Sequence, residues 1–245
     1  YLAQDYRAIC ISYHYGQKHS IEIERACATV ALCQGKGLDV QHHIVDLSPA
    51  MSLFDSALTY GDQDVPLGHY EENQMKLTVV PNRNAIFASI LYGFALSEAK
   101  RTGQNVVLAL GVHSGDHAIY PDCRPEFYEA IYQAFAIGNW DSEQVQLYLP
   151  YLSLDKHRIL QDAQQSCAGL DLDFSEVFKR TLTSYEPDAQ GRSSGKTGSD
   201  VERILAFHKL GVEDPIEYVD PWSVVLERAL KFEEQHVSGE DQRPN

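Results

Sequence analysis

The densest run of chemically able side chains lies between Gly111 and Arg124, where His113, Asp116, His117, Tyr120, Asp122, Cys123 and Arg124 share one short segment. Folding so many polar groups into one loop is costly unless a ligand takes up their hydrogen bonds. Asp116 and Asp122 suit either the donor edge of a guanine-like base or Mg²⁺, which takes carboxylate and phosphate oxygens. His113 and His117 stand at a zinc-binding spacing only if they lie on a helix, and Gly111, Gly115 and Pro121 work against one. Nothing in the sequence holds Cys123 as a thiolate, so it is not read as a nucleophile.

Two further segments are polar beyond the needs of packing. Val79-Val80-Pro81-Asn82-Arg83-Asn84 opens an apolar helix. Either Arg83 and the free N–H groups of the first turn hold a phosphate, or this is a capped helix with a solvated arginine. In Tyr13-His14-Tyr15-Gly16-Gln17-Lys18-His19, two rings able to stack and two imidazoles flank a glycine. That suits either a purine-like base or a plain strand-to-helix turn.

The elements that position these segments alternate. Arg7 to Tyr13 reads as a buried strand, Ser20 to Gln34 as a helix stopped by Gly35 and Gly37, and Val40 to Leu47 as a second strand. Ser48 to Lys76, rich in Asp, Gly, Pro and Glu, reads as a long excursion outside the core. Then come a helix from Arg83 to Ala99, a strand from Val106 to Leu110, a helix from Pro125 to Ala136, a strand from Val145 to Leu149 and a helix from Leu154 to Ala168. Such alternation predicts an α/β fold, a doubly wound parallel sheet with helices on both faces and ligands beyond the carboxyl ends of the strands. After Leu182 the pattern weakens, a helix follows near Val201 to Leu210, and Glu233 to Asn245 reads as a frayed acidic tail. The expected division is therefore an α/β domain over residues 1–182 and a C-terminal segment of loop, helices and tail over 183–245.

With 245 residues, 44% of them hydrophobic, the chain can bury one full α/β core. Its net charge of −15 argues against gripping nucleic acid or anionic lipid, while leaving nucleotides open as small ligands. The cysteines, Cys10, Cys27, Cys33, Cys123 and Cys167, are odd in number and scattered among apolar neighbours. They read as reduced thiols, and with no apolar run of membrane-spanning length the expectation is a cytoplasmic protein.

Taken in order, these segments resemble the 7-cyano-7-deazaguanine synthase family, of the N-type ATP pyrophosphatase group. The resemblance runs from about Ile9 to Tyr218. It is carried by Tyr15-Gly16-Gln17-Lys18-His19, Gly68-His69-Tyr70-Glu71-Glu72, Val79-Val80-Pro81-Asn82-Arg83-Asn84, Gly138-Asn139-Trp140 and, above all, the string from Gly115 to Phe127. It implies an adenine nucleotide α-hydrolase-like fold and an ATP-dependent ligase. The family adenylates the carboxylate of 7-carboxy-7-deazaguanine, ammonia then displaces AMP to give an amide, and a second ATP converts the amide to the nitrile. A carboxylate is a poor electrophile, and adenylation supplies a leaving group whose charge cations stabilise. The resemblance puts Arg83, Lys156 and Asp116 at the reacting groups with ATP and Mg²⁺. It puts Tyr15, Gln17, His19, Asn84, His117, Tyr120, Asp122 and Arg124 around the substrate, and it implies a homodimer.

The sequence departs from the family in two places. The Ser-Gly-Gly-x-Asp-Ser loop that holds the ATP phosphates has no counterpart, and the sequence starts at Tyr1. Because the strand bearing that loop is central to the family's sheet, its loss would leave backbone groups unpaired, and a truncation upstream is expected. The family's four zinc-binding cysteines are replaced by Ser184, Ser194, Thr197 and Asp200. Hydroxyls and one carboxylate do not make a structural zinc site, which wants thiolate or imidazole. The flanking Ala206-Phe207, Gly211-Val212-Glu213-Asp214-Pro215 and Tyr218 keep the family's register. Two other readings follow from these departures: a paralogue from antiphage defence that joins a deazaguanine to a protein amine, and a binding module without catalysis.

Overall fold

The structure, a computed structural model, describes residues 2–17, 21–54, 56, 79–113, 120–184 and 187–240. In chain order the elements are β1 (Ala8–His14), α1 (Ile21–Gly35), β2 (Val40–Asp46), the single turn α2 (Ser48–Met51), α3 (Arg83–Thr102), β3 (Val106–Ala109), α4 (Pro125–Gly138), β4 (Val145–Tyr148), α5 (Lys156–Gly169), the short α6 (Phe174–Phe178), α7 (Gly198–Leu210) and α8 (Trp222–Glu240). The chain divides into two compact units, one of Tyr1–Val79 with Lys156–Asn245 and the other of Val80–Asp155.

In the first unit β1 and β2 pair in parallel from Ala8↔Val40 to His14↔Asp46, with α1 as the crossover between them. A parallel pair cannot be closed by a hairpin, so a helix must carry the chain back. The α-helical part has its own core: Val201, Ile204, Val225 and Ala229 interlock α7 with α8, and Leu160, Ala206 and Phe207 join α5 to α7. The second unit repeats the β-helix-β plan: β3 and β4 pair in parallel from Val106↔Val145 to Ala109↔Tyr148, linked through α4. Tyr92 and Ala95 of α3 pack on Leu108 and Val145 of these strands. The α/β class with parallel strands is thus as the alternation predicts.

Two expectations are corrected. Glu233 onward is not a frayed tail from its start, because α8 continues to Glu240. Its buried face at Val225 and Ala229 is anchored on α7, Lys231 pairs with Glu227 one turn earlier, and glutamates propagate a helix well. The segment from Ser48 is not wholly outside the core either, since Met51 is fully buried at the end of α2. Residues 57–76 of that segment lie outside the described residues.

Candidate active site

In the second unit the first turn of α3 is set by Asn82, whose left-handed backbone (φ 59°) turns the chain into the helix. Arg83 follows at the end where free N–H groups point outward, and its Nε donates to Asn84 Oδ1 at 3.4 Å. Asn84 Nδ2 in turn donates weakly to the buried Cys123 Sγ at 3.9 Å. That contact ties the start of α3 to the 3₁₀ turn Pro121–Cys123, which carries Asp122 and is flanked by Tyr120 and Arg124. Arg124 is the exposed residue before Pro125 at the head of α4. This contact therefore brings the helix start that carries Arg83 and Asn84 beside the turn that carries Asp122 and is flanked by Tyr120 and Arg124. Asp116 and His117 lie outside the described residues.

The first unit holds Tyr15, Gln17 and Lys156. Gly16 takes φ 81°, a conformation that glycine reaches without strain, and the chain turns sharply after β1. Gln17 closes this turn from inside: it is buried, its Oε1 accepts from Tyr15 N at 2.8 Å and its Nε2 donates to Tyr13 O at 3.3 Å. Its amide is thus engaged by the backbone, which is the turn-forming role allowed for this segment. Burial pushes the Tyr13 phenol up to about 12. Beside it, His14 Nδ1 lies 3.2 Å from Asp46 Oδ1 at the ends of β1 and β2. The Ser48 hydroxyl at 2.5 Å, the Ser48 N–H at 2.9 Å and His14 hold the Asp46 carboxyl down at about 2. His19 lies outside the described residues. Lys156, at the head of α5, is ion-paired with Glu202 of α7. Glu202 is not among the residues singled out from the sequence, since a lone glutamate on a helix reads as a solvated side chain.

The positions of the missing cysteines also lie in the first unit, and they converge. Asp200, on the first turn of α7, is buried, and its Oδ2 accepts from Ser184 Oγ at 3.1 Å, Ser194 Oγ at 3.1 Å and Thr197 Oγ1 at 2.9 Å. Ser193 Oγ donates to its Oδ1 at 2.5 Å, and the N–H groups of Lys196 and Thr197 lie 3.2 Å from Oδ2. Thr197 and Asp200 form a capping box, each side chain accepting from the other's backbone N–H. These residues do not fit a zinc ion: their hydroxyl protons point at the carboxylate, and neither thiolate nor imidazole is present among them. One turn on, Arg203 makes a buried bidentate pair with Asp214, Nε to Oδ2 at 2.6 Å and Nη2 to Oδ1 at 2.9 Å. Thr181 and Thr183 hydroxyls accept from Arg203 Nη1, and the Tyr218 hydroxyl donates to Asp214 at 2.8 Å.

The fold defines an α/β protein of parallel strands, in which Tyr15 and Gln17 come after β1, Tyr120 to Arg124 after β3 and Lys156 after β4, while Arg83 and Asn84 open α3. The family described as queuosine biosynthesis protein QueC matches residues 1–211. A 7-cyano-7-deazaguanine synthase of Marinomonas sp. (strain MWYL1) is 40% identical over 209 residues, 85% of each chain. The 7-cyano-7-deazaguanine synthase 1 of Colwellia psychrerythraea is 42% identical over 208 residues, again 85% of each, and the synthase of Methanoregula boonei is 40% identical over 215 residues, 88% of this chain and 89% of its own. The chain belongs to the QueC family, with its adenine nucleotide α-hydrolase-like fold.

Proposed function

We propose that this chain is an ATP-dependent carbon–nitrogen ligase of the 7-cyano-7-deazaguanine synthase kind. The observation that carries the reading is the identity of 40 to 42% with synthases over 85% of both chains, supported by the Asn84–Cys123 contact that joins the segments bearing Arg83 and Asp122. A carboxylate oxygen of 7-carboxy-7-deazaguanine attacks the α-phosphorus of ATP and pyrophosphate leaves. Ammonia then attacks the acyl carbon, and AMP departs with the electrons of the C–O bond. A second round on the amide oxygen, with loss of AMP and a proton, gives the nitrile.

In this scheme Arg83, beside the N–H groups that open α3, stabilises charge on phosphate oxygens as it develops. Asp122 accepts from the donor edge of the base, Arg124 pairs with its carboxylate, and Asn84 and Tyr120 fix the orientation. Asp116, His117, Tyr15 and His19 belong to the same assignment by resemblance, and Lys156 is held ready by Glu202. Among the described residues no group of three His, Cys, Asp or Glu side chains is placed to hold a metal. Mg²⁺ would come with ATP, where it would neutralise the charge of the phosphates. The replaced cysteine positions favour one second reading, a paralogue whose acceptor is a protein amine and not ammonia.

The test incubates the complete protein with ATP, Mg²⁺ and 7-carboxy-7-deazaguanine, with and without ammonia, and follows AMP release and product mass. Amide or nitrile is expected. AMP without either product would move the reading to another acceptor, and no AMP would overturn it.

A further inference from the structure

Four hydroxyls and two backbone N–H groups surround the single carboxylate of Asp200, which offers about four lone-pair sites for them. They come from three stretches of chain: Ser184 from the segment after α6, Ser193 to Thr197 from the loop before α7, and Asp200 from α7 itself. The loop has little freedom to rearrange. Gly195 takes φ 67°, and a Cβ there would lie 2.8 Å from Val225 Cγ1 of α8. Ser193 is bonded on both sides to the chain before α8, its N–H to Glu217 O at 3.0 Å and its C=O to Val219 N at 2.9 Å. Arg228 of α8 donates to Ser194 O at 3.3 Å. The carboxylate is therefore shared by all three segments and holds most of their hydroxyls, while the Ser199 hydroxyl of α7 adds a smaller link, 2.9 Å from Thr183 O and 3.0 Å from Thr197 Oγ1.

We infer that Asp200 is a metal-independent hub: its buried carboxylate, ringed by Ser184, Ser193, Ser194 and Thr197, does the joining that a zinc ion does where these positions are cysteines. The exchange reverses the electrostatics. A zinc site gathers anionic thiolates around a cation, whereas this cluster gathers neutral proton donors around an anion. A buried carboxylate left without donors is expensive, so the donors and the acid act as a set. Ser193 takes part although it is not one of the four positions, because an anion at Asp200 needs a donor on Oδ1 as well as on Oδ2. The inference concerns the folding of this chain and stands apart from the reading of its reaction.

The experiment measures zinc in the purified complete protein by plasma mass spectrometry and its melting temperature with and without a strong chelator. No stoichiometric zinc and no chelator effect are expected; zinc at one equivalent, or a chelator-induced drop in melting temperature, overturns the inference. Asp200→Asn, which keeps the shape but turns an amide donor toward hydroxyl donors, is expected to melt roughly 10 °C lower. An unchanged melting temperature overturns the hub. Should Asp200→Asn not fold, Ser184→Ala removes one donor and is expected to melt a few degrees lower with no change in metal content; no shift there overturns the hub equally. The quadruple variant Ser184→Cys, Ser194→Cys, Thr197→Cys, Asp200→Cys is expected to take up one zinc and to become chelator-sensitive. Failure of the soluble variant to bind zinc would mean that the four side chains do not converge on one point.

Discussion

Replacing Asp214 by alanine leaves the Arg203 guanidinium buried beside Phe207 and Phe178 without its bidentate partner, with only the more distant Asp200 carboxylate acting on it. The side chains are 7% and 0% exposed, so water cannot take over. Removing one partner of such a pair costs roughly 3 to 5 kcal/mol, because the survivor stays charged in a poor dielectric. The Tyr218 hydroxyl and the Ile216 N–H lose their acceptor at the same time. In a chain of this length each kcal/mol moves the melting temperature by roughly 2 to 4 °C, so a drop of roughly 6 to 20 °C is expected. The assay is equilibrium urea unfolding of wild type, Asp214→Ala, Arg203→Leu and the double variant, with melting curves beside it. The double variant should be more stable than the sum of the single losses, since neither charge of the pair remains, yet less stable than wild type because Tyr218 and Ile216 stay unsatisfied. A single-variant cost below about 1 kcal/mol, or strict additivity, would refute the claim that this pair holds α7 to the chain before α8.

Other consequences can be checked as directly. Arg83→Ala should lower kcat/KM for AMP formation roughly 10²- to 10³-fold with an unchanged circular dichroism spectrum, and Arg83→Lys should not restore it, since a point charge lacks the guanidinium fork. Glu202→Gln frees Lys156 and should reduce kcat while shifting the melting temperature by no more than a few degrees, the range for a partly exposed ion pair. Ser48→Ala removes the leading cause of the low Asp46 pKa, so the carboxyl measured by NMR should rise from about 2 toward its ordinary 3.8. In wild type the stabilisation linked to that depressed pKa is complete above about 4 and is lost as pH falls toward about 2. Tyr13 should titrate near 12 in ultraviolet absorbance, and its raised pKa makes folding weaken as pH climbs from 10 to 12.

The strands were legible as short apolar runs bounded by turn residues, and most helices by an apolar face longer than any strand. Val106 to Leu110 is a short apolar run before a glycine, and its strand ends within a residue of that expectation. What escaped did so for reasons of context. The acidic residues after Phe232 look like a solvated end, yet a helix anchored at Val225 and Ala229 runs through them, since propagation needs no further burial. Met51 lies in a polar stretch without periodicity, and only tertiary packing reveals that it is buried. Around the site, the sequence could place Arg83, Asn84 and Asp122 near one another through resemblance alone. The bond from Asn84 to Cys123 that joins their segments spans 39 residues, and no local pattern encodes it. Gln17 shows the opposite case: a residue conspicuous as a ligand-binding candidate closes its own turn with both ends of its amide.

The replaced cysteines show why residue types read one at a time mislead. Each change taken alone is a loss: serine and threonine are poor zinc ligands, and one aspartate is not a metal site. Taken together they are consistent, because exchanging the central cation for an anion requires the surrounding groups to become proton donors at the same time. Serine and threonine are the small side chains that donate without adding charge, and glycine at 195 lets the loop bring them within reach of Asp200. A mixture of the two chemistries fails in either direction. Thiolates around the Asp200 carboxylate would repel it, and hydroxyls around zinc would hold it weakly. The four positions are therefore coupled through the charge at the centre, so restoring a single cysteine should destabilise this chain even though each cysteine belongs to the family's pattern.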